Sequence, residues 1–66
     1  MRNNLIKLRH DLGFTQAEMG ALVNKSKPYW ANIEAGRLEG VADVWLTLGI
    51  KLNLTVQQIV KLKEVS

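Results

Sequence analysis

The stretch Thr15-Gln16-Ala17-Glu18-Met19-Gly20-Ala21-Leu22-Val23-Asn24-Lys25-Ser26-Lys27-Pro28-Tyr29-Trp30-Ala31-Asn32-Ile33-Glu34-Ala35-Gly36 decides how the chain folds. Thr15 followed three residues later by Glu18 is a capping box: the hydroxyl accepts from the amide of Glu18, and the carboxylate accepts from the amide of Thr15. Phe14 and Met19 supply the apolar staple that accompanies such a start. Met19, Leu22 and Val23 then fall on one helical face. A break follows at Asn24-Lys25-Ser26, because Asn tolerates positive φ and Ser26 is a favourable N-cap for a new helix. Pro28 lies in the first turn of that helix, where an N–H has no intrahelical partner to lose. Trp30 and Ile33 make its inward face, and Gly36 marks its end. Two capped helices separated by about three residues cannot lie antiparallel. They cross steeply, the geometry of a helix-turn-helix.

Outward from this pair the period stays helical, with no alternating run long enough for a strand. Leu5, Leu8 and Leu12 share a face ahead of Gly13, and Val41, Val44, Trp45, Leu48 and Leu52 keep the same period. Thr55-Val56-Gln57-Gln58 is a second capping box, stapled by Leu54 and Ile59. Val56, Ile59 and Val60 are expected to point inward. The spacing predicts helices over residues 4–12, 16–23, 27–35, 41–52 and 56–63, in one all-α domain over 1–66. From about Lys61 onward the pattern defines the helix only weakly, and Lys61 and Lys63 read as a solvated tail. Trp30 and Trp45 read as core, and His10 as a surface residue.

Composition narrows the function. The chain has 66 residues, no cysteine and one histidine. Disulfide scaffolds, Cys-built zinc sites and thiol catalysis are excluded. No Gly-rich phosphate loop and no nucleophile beside a base is present, so neither an enzyme, a cofactor nor a metal is expected. A chain this short is also expected to leave no room for a pocket of the usual ~300 Å³. The most apolar run, Val44-Trp45-Leu46-Thr47-Leu48-Gly49-Ile50, falls far below the ~20 residues of a spanning helix. The start Met1-Arg2-Asn3-Asn4-Leu5-Ile6-Lys7 is no signal peptide. No membrane partner is expected, and the cytoplasm is the default location.

The net charge is +3, from nine Lys and Arg against six Asp and Glu. Through Arg37 there are six cations and three acids; beyond it there are three of each. The excess belongs wholly to the part that holds the helix pair, so an anionic surface is expected to dock there.

Leu8-Arg9, Gly13-Phe14-Thr15-Gln16 with Met19, Ile33-Glu34-Ala35-Gly36 and Leu52-Asn53-Leu54-Thr55 occur in register and without gaps. In these pieces the chain resembles the Cro- and phage-repressor-like, or XRE-like, helix-turn-helix DNA-binding domains of lambda-repressor-like fold. The resemblance runs from about Leu5 to Ile59. It implies that Thr15 and Gln16 meet a phosphate at a helix N-terminus, a ready anion site. It places Ser26, Lys27, Pro28, Tyr29 and Asn32 on the exposed face of a recognition helix, with Lys25 beside it and Arg37 on the DNA backbone. Asn32 then pairs bidentately with adenine, and Lys27 bonds guanine acceptors or a phosphate. Tyr29 meets a phosphate or a thymine methyl. Arg9 and Glu34 match a structural ion pair.

The chain departs from the family at several positions. Asn24 stands where the turn glycine is usual, Gly20 replaces a small alanine, Pro28 removes a donor near the DNA, and Glu39 sits where relatives often carry a cation. The implied function is a sequence-specific regulator of transcription, a repressor rather than an activator. It would bind a palindromic operator in double-stranded DNA as a homodimer, with Val60, Leu62 and Val65 as the dimer contact. The alternative is an antitoxin or protein-interaction module on the same fold, with a toxin as partner.

Overall fold

A computed structural model describes residues 1–66 as five helices and no strand. α1 spans Asn3–Leu12, α2 Gln16–Leu22, α3 Lys27–Ala35, α4 Ala42–Leu52 and α5 Val56–Lys63. The capping residues fix where three of these begin. Thr15 Oγ1 accepts from the Glu18 amide at 3.1 Å, and Glu18 Oε1 accepts from the Thr15 amide at 2.9 Å. Thr55 and Gln58 repeat the reciprocal pair at 3.1 and 2.7 Å. Ser26 Oγ accepts from the Tyr29 amide at 3.2 Å, with Pro28 in the first turn of α3. Each cap satisfies amides that have no partner inside the helix. Asn24 takes φ 61° in the turn between α2 and α3.

α4 begins one residue later than the spacing implies, because Val41 is extended and serves as its N-cap. Val41 is consequently exposed rather than core.

The core is drawn from all five helices: Leu5, Met19, Val23, Trp30, Ile33, Val44, Trp45, Leu48 and Leu62. Phe14, Leu54 and Ile59, the staple residues, pack against it half-buried. Two expectations about α5 are corrected here. The Thr55–Gln58 box and the Leu54–Ile59 staple set the rotation of the helix so that Ile59 and Leu62, three apart, face inward. Val56 and Val60 lie on the neighbouring stripe and are 80% and 56% exposed. Leu62 is core and is withdrawn as a dimer contact. Leu12, at the end of α1, is also exposed.

Arg2 has an unexpected place. Its side chain is 1% exposed, the most buried cation of the chain. It donates to the carbonyls of Ile33 at 2.7 Å, Leu38 at 2.8 Å and Lys63 at 3.0 Å. Its own amide donates to the Glu34 carbonyl at 2.7 Å. Arg2 thus joins the start of α1 to the last turn of α3, to the α3–α4 loop at Leu38 and to the last turn of α5. Its guanidinium lies 5.6 Å from the Trp45 ring, and Lys63 Nζ lies at the same distance. Lys63 is therefore packed on an indole rather than free in a tail. Past α5 the chain turns back to the start, where Ser66 N–H donates to Met1 C=O at 2.9 Å.

Gly20 explains the close approach of α2 and α3. A Cβ built there would stand 2.9 Å from the carbonyl oxygens of both Lys25 and Ser26. Those are backbone atoms of the turn, so no side chain can swing aside. The glycine that weakens α2 in isolation is what lets the turn fold against it. Gly20→Ala is accordingly expected to destabilise the domain by about 1–3 kcal/mol, an overpacking cost. Thermal unfolding followed by circular dichroism would read this as a loss of roughly 4–8 °C per kcal/mol. An unchanged melting temperature would mean that the turn is not held against α2.

Candidate nucleic-acid interface

The site is built around one carboxylate. Glu34, near the end of α3, is 3% exposed. Arg9 of α1 donates to it twice, from Nε to Oε2 at 2.6 Å and from Nη2 to Oε1 at 3.3 Å. Gln16 Nε2 donates to Oε1 at 3.0 Å, and Trp30 Nε1 to Oε2 at 2.7 Å. Arg9 Nη1 also holds the Phe14 carbonyl at 3.0 Å. One side chain from each of α1, α2 and α3 therefore converges on the same group. Burial pushes the Glu34 carboxyl upward. The hydrogen bonds from Arg9, Gln16 and Trp30, with the Arg9 charge, more than offset this, and its pKa is lowered.

Gln16 is consequently a strut. One of its two amide N–H groups is engaged by Glu34, which leaves one for an incoming phosphate. The α2 start also carries its own anion, since Glu18 lies on the Thr15 amide. Hydrogen bonding from Thr15, through its backbone first and its side chain second, holds the Glu18 carboxyl below its ordinary value. Both facts weaken the phosphate seat expected at Thr15 and Gln16.

The outer face of α3 is different. From Met19 through Leu38 the charged residues are Lys25, Lys27, Glu34 and Arg37. Glu34 is buried, so this surface presents three cations and no exposed carboxylate. Ser26, Lys27, Pro28 and Arg37 are exposed, while Lys25, Tyr29 and Asn32 are half-buried. Lys25 Nζ stands 5.1 Å from the Tyr29 ring, a cation–π distance. The Tyr29 hydroxyl accepts from the Val41 amide at 3.4 Å, which leaves its own proton to donate. Arg37 Nη1 donates to Asn32 Oδ1 at 3.0 Å. The residues expected along α3 are thus brought together on one face, with Trp30 and Ile33 buried behind them.

The other cations are largely occupied elsewhere. Lys7 pairs with Asp11 at 2.8 Å along α1. Arg9 is bound to Glu34, and Arg2 is buried with Glu39 3.9 Å away. Glu39 therefore faces an internal cation, and its carbonyl accepts from Trp45 Nε1 at 3.1 Å.

A second feature was not expected from so small a chain. α4 and α5 enclose an apolar groove of about 600 Å³, lined by Trp45, Leu46, Ile50, Leu54, Val56 and Val60 among others. Leu46 and Ile50 are 65% and 80% exposed. Each pair, Leu46 with Ile50 and Val56 with Val60, is four apart, a stripe readable in the sequence once the inward stripe is known. The role of Arg2 had a weaker signal, a cation at a helix N-terminus, where the dipole disfavours it.

No family model matches the chain, nor does any curated protein or solved structure. No helix is long and apolar enough to cross a membrane.

Arg9→Ala should cost about 3–5 kcal/mol, because Glu34 would be left charged and unpaired inside. The acid limb adds a signed test. The folded Glu34 pKa lies below the unfolded value, so its stabilisation is complete above pH ~4.5 and is lost as pH falls through the folded value. Without Arg9 the burial effect gains weight and the folded pKa rises towards the unfolded value, so the variant, weaker at neutral pH, should lose less of its stability on acidification than the parent chain does. A variant that loses as much stability between about pH 7 and pH 3 as the parent would mean the pair is not formed.

Proposed function

We propose that the chain is a helix-turn-helix DNA-binding regulator that inserts α3 into the major groove. The observation that carries this reading is the carboxylate-free outer face of α3, with Lys27 and Arg37 exposed and Lys25 half-buried around it. A polyanion gains counterion-release free energy where cations are not already paired, and this surface gathers three of them, while Lys51 and Lys61 stand apart from it on α4 and α5. The α2–α3 pair, with Gly20 packed against the turn and Glu34 tying the helices beneath, gives α3 the rigid support that groove reading needs. The resemblance to Cro- and phage-repressor-like domains supports the same reading. Repression follows from occupancy of the site and needs no further surface.

Few cations per chain favour two chains per site. A homodimer would read two half-sites about one helical turn, ~34–36 Å, apart. We place its contact on the α4–α5 groove, where Leu46, Ile50, Val56 and Val60 are exposed. Val60 is retained from the expected contact. Val65 rests on Gly36, its Cγ1 3.0 Å from where a Cβ would stand there, so part of it serves the tail.

The groove also favours the second reading, an interaction module such as an antitoxin, in which a different protein fills it. Sedimentation separates the two: the first requires a dimer at micromolar concentration that Ile50→Lys converts to monomer. For DNA, titration against short duplexes should show a preferred palindrome and a steep salt slope. Lys27→Ala should weaken binding and lower the magnitude of that slope by about one unit. Binding that ignores sequence at every salt concentration would overturn the specific-regulator reading.

A further inference from the structure

Asn32 and Arg37 are joined through both backbone and side chains. α3 closes on Gly36 at φ 81°. The Arg37 amide donates to the Asn32 carbonyl at 3.0 Å and the Gly36 amide to the Ile33 carbonyl at 3.1 Å. These are the two bonds of a Schellman closure. The motif sets the residue just past the left-handed position beside the one in the last helical turn, commonly as an apolar contact. Here both partners are polar, and Arg37 Nη1 donates to Asn32 Oδ1 at 3.0 Å. A guanidinium has only donors, so the amide atom facing it must be the oxygen. The orientation of the Asn32 amide is therefore set by chemistry.

Adenine recognition by Asn needs both halves of the amide, the N–H₂ for N7 and the oxygen for the N6 donor. With Oδ1 bound to Arg37, one of its two lone pairs is taken, and the guanidinium charge beside it opposes the approach of a second N–H donor such as adenine N6. What the pair offers outward is chiefly donors: Asn32 Nδ2 and the remaining N–H groups of Arg37. We propose that Asn32 and Arg37 act as one reading unit that selects guanine. Guanine presents two adjacent acceptors, N7 and O6, and no donor on its major-groove edge. Adenine and cytosine present an N–H₂ that would face the pair's own N–H groups and leave donors unpaired. Thymine presents one acceptor beside a methyl group. The inference rests on the placement of α3 in the major groove proposed above. It corrects the adenine assignment for Asn32 and changes Arg37 from a sequence-blind phosphate contact to a residue that positions a base reader.

The test is selection of bound duplexes from a random pool by the full chain and by Asn32→Ala and Arg37→Ala, each confirmed folded by its melting curve. Arg37 is exposed, so its truncation leaves the core intact. The parent chain should select guanine over adenine by about tenfold at the position where Asn32→Ala erases the preference. Arg37→Ala releases Oδ1, and the preference at that same position should move towards adenine while other positions stay as they were. Adenine selected there by the parent chain would overturn the inference. So would an Arg37→Ala variant that weakens every sequence alike, the result expected of a phosphate contact. If folded protein enriches no sequence, the reading of α3 itself falls, and the guanine unit with it.

Discussion

The fold depends on a buried carboxylate that three helices share. Glu34 accepts from Arg9 of α1, Gln16 of α2 and Trp30 of α3 itself, with only 3% of its surface exposed. A charge taken out of water is costly unless donors replace the water, and here four hydrogen bonds do so. The consequence is geometric as much as energetic. Each donor comes from a different helix or turn, so the bonds hold together only when all three helices sit at one mutual orientation. The small apolar core alone would permit sliding, since apolar contacts are not directional.

Arg2 plays the complementary part on the other side of the domain. It fills carbonyls at the end of α3, in the α3–α4 loop and at the end of α5. A cation buried among carbonyls and a carboxylate buried among N–H donors thus bracket α3. With its inner side fixed in this way, α3 can afford an outer side of exposed polar groups. The net charge of the chain is modest, but two arginines and one glutamate are withdrawn from the surface. What remains exposed from Met19 through Leu38 is positive, with Glu39 just beyond it. The distribution, and not the total, gives the surface its character.

Much of this was legible along the chain. Thr15 with Glu18 and Thr55 with Gln58 place two helix starts at their observed residues, because capping is local and its partners lie three positions apart. Ser26, Pro28, Asn24 and Gly36 bound the turn and α3 for the same reason. The inward periods of α3 and α4 were readable as well, since Trp30, Ile33, Val44, Trp45 and Leu48 repeat at helical spacing. The Arg9–Glu34 pair came from resemblance and not from spacing, as the two residues are 25 apart.

The sequence by itself determined the helices, their order, the turn between α2 and α3 and the surplus of positive charge around it, because each is written in neighbours within a few residues. Only the tertiary structure decided which groups are spent inside. Arg2 and Gln16 look like surface residues until carbonyls and a carboxylate from distant segments arrive beside them. Val56, Val60 and Leu62 are equivalent apolar letters until the packing of α5 on α1 and α4 selects the face that is buried. The engagement of Asn32 Oδ1 by Arg37 likewise depends on how the chain turns at Gly36. Burial and hydrogen-bond partnership are properties of pairs across the fold, and a linear pattern carries only one member of each pair at a time.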